Sequence, residues 1–306
     1  MICLNEKRFG LESLLGNILE SGFDWLIDPA KRTYILYWLT SLFIVLGWAS
    51  FRWSKRKQYL LQLSHSSYWL NPSTYQDYFL VIFNRVIFYT IGISWLIITL
   101  DISLTTLGFL RKFGETTQEP LFDGWVIVLY SLSVFLFDDF SRFALHKAMH
   151  KFNFLWRIHQ VHHSATTLTP ITALRVHPLE SLLYQIRGAL VYGISAGTGF
   201  FLFGYQVNQL EIWGVIATSF LFNVFGANIR HSQVPLHYGG LEKWLISPSM
   251  HQAHHGLKTM QKNFGSILSI WDRIGGSWRS GKLPYELPKT DHPLGRQLLL
   301  KPISWK

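Results

Sequence analysis

Residues 146–163 read HKAMHKFNFLWRIHQVHH and hold five of the chain's thirteen histidines. On a helix, side chains three and four apart share a face, so His146 and His150 point one way and His159, His162 and His163 form a second group. At about 100° per residue, a single straight helix would turn the pair and the triplet in nearly opposite directions. The chain must therefore turn between them, and residues 151–154 are the expected place. A later region that begins at His231 ends in the same spacing, with His251, His254 and His255. Any fold of this sequence has to bring these separated imidazole clusters together, and the rest of the chain reads as scaffolding for that purpose.

The scaffolding is apolar. Of 306 residues, 49% are hydrophobic and 15% charged, with positive mean hydropathy, which is high for a soluble protein of this length. Aromatics reach 16%, with thirteen tryptophans, a pattern of chains that meet a lipid interface. The net charge of +10 comes without a compact basic module or recognition helix, so contact with anionic headgroups accounts for it and no nucleic-acid partner is expected. The lone cysteine, Cys3, excludes an internal disulfide and a thiolate metal cluster. No basic region followed by a small-residue cleavage site opens the chain, so no cleaved leader is expected.

Residues 1–33 read as a leader, interfacial along Leu14, Leu15, Ile18 and Leu19. An apolar run over 34–51 is marginal against the roughly 20 residues that cross a bilayer, and Arg52, Lys55, Arg56 and Lys57 mark its end as cytoplasmic. A second run covers 78–100, with Arg85 snorkelling near its start. The loop 101–123 reads as the far side. Residues 124–145 return to the cytoplasmic face and deliver the first histidines, and 186–205 with 209–227 read as a re-entrant helical hairpin. Residues 229–306 carry eleven Lys and Arg, and 52–77 and 146–185 carry four each, against two in 101–123. Charge and histidines thus agree on one sidedness. The predicted class is all-α: an integral membrane helical bundle with a cytosolic, histidine-rich cap, the catalytic part spanning 124–283 and an irregular surface tail 284–306.

Imidazole is the commonest neutral metal ligand and suits zinc, copper, iron and nickel. The pair, the two triplets and His231 give nine candidates, with His177 a tenth. One ion takes four to six ligands, so this number implies two ions. A zinc peptidase would need HExxH, and soluble di-iron bundles use Glu ligands with ExxH pairs; neither pattern is present. A site built from neutral nitrogens keeps much of its positive charge, which suits an electrophilic oxidant made from O2.

The ordered boxes HKAMH, HQVHH and HQAHH resemble the fatty acid hydroxylase and sterol desaturase superfamily of membrane histidine-box enzymes. The resemblance runs from Asp139 to Ser277. It takes in Thr169 and Pro170, the RVHPLE element with Arg175, His177, Pro178 and Glu180, then His231, and the closing run with Asn263, Gly265, Trp271 and Asp272. It implies a di-iron centre, O2 as co-substrate and external electrons for hydroxylating or desaturating a lipid. It implies metal ligands at His146, His150, His159, His162, His163, His231, His251, His254 and His255, with His177 a further ligand or substrate contact. Asp139 and Asp272 are implied to orient imidazoles, and Arg175 and Glu180 to line the substrate path. HSQ at 231–233 stands where many members have HSN. With no haem-binding donor domain in the chain, a separate electron-transfer protein is implied. The alternative from another class is a membrane metal-binding or transport protein, which should carry ionisable groups along a path inside its spans.

Overall fold

The computed structural model describes residues 26–28, 33–51, 53–116, 124–204, 223–224 and 227–305. Most of these are helical, with no strand among them beyond a single antiparallel bridge between Leu245 and Leu268. The leader lies almost wholly outside the described residues, as does nearly all of the second hairpin arm.

Helix α1 (Ile35–Ser50) and the more polar α2 (Trp53–Ser64) are followed by α3 (Pro72–Ile91), which starts at Asn71, whose side chain accepts a hydrogen bond from Thr74 N at 3.1 Å. The apolar run read as one span over 78–100 is two helices. Gly92, at φ +62°, takes the left-handed conformation that ends α3, and Ser94 caps α4 (Trp95–Leu110). The pair bends by 61°. Much of the expected far-side loop is therefore the body of α4.

Helix α5 (Gly124–Lys151) runs 28 residues without a break and carries His146 and His150 in its last turns. Phe152, extended at φ −99° and ψ 123°, makes the turn into α6 (Asn153–His163). The six residues Ile158 to His163 are all buried, so α6 is enclosed on every side of its last turn and a half. Helix α7 (Pro178–Phe203) begins with the His177 ring accepting from Leu179 N and Pro178 in the first turn.

The most extensive helix pairing is α4 against α7. Its cause is in the sequence GISAG. Gly193 and Gly197 lie one turn apart on one face, where a Cβ would stand 2.7 Å from Ile102 Cβ and 2.6 Å from Thr106 Cβ respectively. Small residues at this spacing let two apolar helices approach closely. Among the described residues, α7 alone is long and apolar enough to cross a membrane as a single helix, and α3 with α4 qualify as a bent pair.

The last third wraps the histidine-bearing ends of these helices. It comprises a 3-10 turn (Ala227–His231), α8 (Pro248–His254), α9 (Ile270–Ile274) and α10 (Leu294–Leu298). The tail, largely irregular and exposed over 284–305, also straps α6. Gln160 donates to Lys301 O at 2.9 Å, Ser164 to Gln297 Oε1 at 2.8 Å, and Gln297 and Ile303 are buried.

Candidate metal centre

Nine buried histidines meet in two adjoining groups: His146, His150, His159, His163 and His254, and then His162, His231, His251 and His255. Within each group one ring nitrogen per residue lies within 4.8 Å of the others. Each HxxHH triplet, read from the sequence as a single face, is divided between the groups. On α6 the i,i+4 pair His159 and His163 goes to the first group and His162 to the second. On α8 the division is reversed, with His254 in the first and His251 and His255 in the second. The rings of His163 and His255 stack at 4.7 Å across the seam.

Backbone carbonyls fix the ring protons. His146 Nδ1 lies 2.8 Å from Phe264 O and His254 Nδ1 2.6 Å from Lys262 O. A carbonyl only accepts, so both Nδ1 atoms donate, and a neutral ring then has a bare Nε2. These bare Nε2 atoms face each other at 3.0 Å, and His159 Nε2 stands 3.1 Å from that of His146. In the second group His162 Nδ1 meets Arg175 O at 3.2 Å, leaving its Nε2 3.2 Å from His231 Nε2, which is 2.9 Å from His251 Nε2. Between His146 and His254 lone pair meets lone pair, which repels unless a cation lies between them. Two nitrogens each about 2.1 Å from one ion, at a right angle, stand about 3 Å apart.

Burial keeps the rings neutral. It pushes His159 down to about 3, and His162, His163, His254 and His255 well below the ordinary value, neighbouring imidazoles adding to the effect in the last four. His150, His163 and His255 have no hydrogen-bond partner on either nitrogen among the described residues. A buried polar group left unsatisfied costs about 1–3 kcal/mol, and three together point to a shared ligand. Buried, convergent imidazoles in groups of five and four fit a pair of metal ions.

The other sequence-predicted residues sit as follows. Asp139 accepts from Ile267 N, Leu268 N and Trp271 Nε1, and Asp272 from Phe264 N, Gly265 N and Ser277 Oγ, all at 2.6–3.0 Å. Neither bonds to an imidazole in these contacts. They fasten the loop whose Phe264 carbonyl holds His146, because a short carboxylate beside free backbone amides is satisfied there first. The carboxylate on a candidate ligand is Glu180, whose Oε1 stands 2.8 Å from His159 Nδ1. Arg175 is completely buried, its guanidinium spent on Val161 O, Ser73 O, Asp77, Gln76 and Ser164. His177 joins neither group, since Nδ1 caps α7 and Nε2 lies 3.2 Å from Leu298 O. Half-buried His237 lies 3.7 Å from Glu242.

A cavity of about 390 Å³ opens against the imidazoles of His146, His159 and His162, with Asp138, Arg142, Glu180 and Tyr184 on its other walls. Sequence reading missed the Asp138 network, in which Arg142 Nε and Arg187 Nη1 each donate to the carboxylate at 2.8 Å. The spacing of Asp138 and Arg142, four apart on one helix, was the available signal.

A family model described as fatty acid hydroxylase matches residues 131–277. That stretch is similar to the fatty acid hydroxylase family. All nine clustered histidines fall inside it, whereas the strap on α6 lies beyond it. The chain is 31% identical to alkylglycerol monooxygenase from Danio rerio over 182 residues, 56% of this chain and 36% of that protein. It is 24% identical to lathosterol oxidase from Mus musculus over 216 residues, 67% of this chain and 66% of the relative. Very-long-chain aldehyde decarbonylase from Oryza sativa subsp. indica is 29% identical over 167 residues, 51% of this chain and 55% of the relative. The chain spans about a third of the length of the alkylglycerol monooxygenases it matches, 36% and 30% for those of Danio rerio and Homo sapiens. No solved structure matches it.

Proposed function

We propose that this chain is a membrane-bound, di-iron, O2-dependent oxidoreductase that hydroxylates or desaturates a lipid. The observation that carries the reading is the pair of convergent all-imidazole groups, with nine buried histidines and no carboxylate among them. Two iron ions held there supply, with O2 and external electrons, the oxidising chemistry that an unactivated C–H bond demands. His146, His150, His159, His163 and His254 would hold one ion, and His162, His231, His251 and His255 the other. Glu180 and the carbonyls of Phe264, Lys262 and Arg175 keep the protons of His159, His146, His254 and His162 on Nδ1, so that each Nε2 is bare. The relatives named a monooxygenase and an oxidase agree with this class of chemistry and do not favour the transport alternative.

The setting is a bilayer, with the histidine groups on its cytoplasmic side and a separate electron-transfer protein docking there. Large apolar side chains on α1, α3 and α4 face outward, with Phe43 71%, Ile82 62% and Leu96 70% exposed, as lipid-facing helices require. The excess of Lys and Arg in the histidine-bearing segments supports the sidedness. The test is purified protein supplied with iron, reductant and O2: it should oxidise a lipid, and His159→Ala or His254→Ala should abolish the product. Elemental analysis of active protein that found no iron would end the reading.

A further inference from the structure

Four of the nine clustered imidazoles are oriented by a hydrogen bond at Nδ1, to Phe264 O, Lys262 O, Arg175 O or Glu180. His150 and His163 have no such partner at either nitrogen among the described residues, although both rings are buried. The torsion that swings an imidazole is broad and roughly two-fold, so without a hydrogen bond only packing limits it. The ring that packs on both is Trp156. Its centroid lies 5.0 Å from that of His150 and 5.5 Å from that of His163, at interplanar angles of 49° and 45°. Phe264 gives His150 a second face at 5.0 Å. Among the described residues, the other rings against His163 are all imidazoles. On α6, Trp156 stands three residues before His159 and seven before His163, on one face of the helix.

Trp156 is itself half-buried, and Trp305 of the strap covers it at 5.5 Å. Trp305 is held in turn. Gln160 on α6 donates to Lys301 O, Ile303 is buried, and the His292 ring, 6.4 Å from that of Trp305, belongs to a residue whose carbonyl accepts from Gln76 and Gln297. Two indoles from distant parts of the chain thus form a stack that ends on two candidate ligands. We propose that Trp156, backed by Trp305, is the positioning residue for His150 and His163, its packing replacing the hydrogen bond that orients the other rings. The inference rests on the reading of the five-histidine group as an ion site. A ring face constrains these imidazoles without occupying their nitrogens, which stay open to an ion. Every imidazole that Trp156 touches, His150, His159 and His163, belongs to that group, so the effect falls on one ion of the pair. Trp305 lies outside the stretch matched by the family model, so this support comes from the tail.

The experiment titrates cobalt(II) into the metal-free full chain in detergent micelles and follows its visible absorption, which responds to the number and arrangement of bound nitrogens. The wild type should take up two ions, one for each group. In Trp156→Ala one of them should bind about tenfold to a hundredfold more weakly, the range for losing a neighbour that orients a ligand. Its absorption band should change while the other ion binds as before. Trp156→Phe keeps a ring face and should restore both the affinity and the band. Trp305→Ala should weaken the same ion by a smaller factor. Unchanged binding in Trp156→Ala, or both ions weakened alike, overturns the proposal. Should that variant not fold by circular dichroism, Trp305→Ala decides, because one weakened ion supports the assignment and any other result overturns it. A wild type that takes up fewer than two ions would sink the two-ion reading and this inference with it. Two ions held equally well by the wild type and every folded variant would sink this inference alone.

Discussion

Arg175 offers the sharpest division between two roles, a substrate contact and an internal brace. Its side chain has no exposed surface and no place on the cavity wall, and it joins the start of α3 to the end of α6 through five partners. The decisive one is Asp77, 3.1 Å away and equally buried, which also accepts from Thr172 at 2.7 Å. Replacing Arg175 with Met keeps much of the volume but leaves a buried carboxylate without its cation, and removing one partner of such a pair costs about 3–5 kcal/mol. Against a total stability of about 5–15 kcal/mol for a typical domain, that is a severe loss.

Arg175→Met should therefore lower the unfolding midpoint sharply in both the metal-free and the loaded protein. The double variant Arg175→Met with Asp77→Leu should recover most of it, since removing both charges is often close to neutral. At a temperature where the single variant is still folded, its KM for lipid should match the wild type. A variant with an unshifted midpoint and a raised KM would refute the brace and restore Arg175 to the substrate path.

Asp272→Ala should free the loop that presents the Phe264 carbonyl, and bound metal should fall from about two ions per chain toward one by elemental analysis, the first group losing its ion. Gly197→Leu should separate α4 from α7 and cost about 1–3 kcal/mol or more by overpacking, read as a lower unfolding midpoint with the metal content of the folded fraction unchanged. Acid should destabilise the metal-free protein. His159 stays neutral when folded until about 3, whereas in the unfolded chain it takes a proton below about 6.5. Its contribution is then complete above about 6.5 and lost as the pH falls from there toward 3. Denaturant midpoints that did not fall between pH 7.5 and pH 5 would contradict this.

The histidine clusters were legible because residue type and spacing are properties of the sequence itself. The turn at Phe152 was legible too, since the pair and triplet could not serve one site on a straight helix. What the sequence hid is how each triplet divides. A 100° step places His162 on a different side of α6 from His159 and His163, but which side meets which neighbour depends on α8 and His231, far along the chain. The orienting groups were hidden for a different reason. Three of them are backbone carbonyls, at Arg175, Lys262 and Phe264, and a carbonyl leaves no residue-specific mark. The break between α3 and α4 could have been read from Gly92 followed by Ser94, a stop and a cap in succession, but the surrounding apolar run masked it.

These carbonyls also tie metal and fold into one equilibrium. The segment 262–268 supplies two of them and is itself pinned by Asp139 from α5 and Asp272 from α9. If metal fixed the tautomers, the rings would need to reorganise on binding. Here the fold has already placed the protons of His146, His159, His162 and His254 on Nδ1, so the desolvation of the buried imidazoles and the repulsion between the bare Nε2 atoms of His146 and His254 are borne by the metal-free protein. Any ion that enters relieves them, and binding to the folded state alone adds stability that grows with the free metal concentration. A rigid, preorganised cage therefore binds tightly without selecting its metal by affinity. Selection for iron would rest on supply and on the redox chemistry that follows, and a zinc-loaded chain should be as well folded as an iron-loaded one while oxidising nothing.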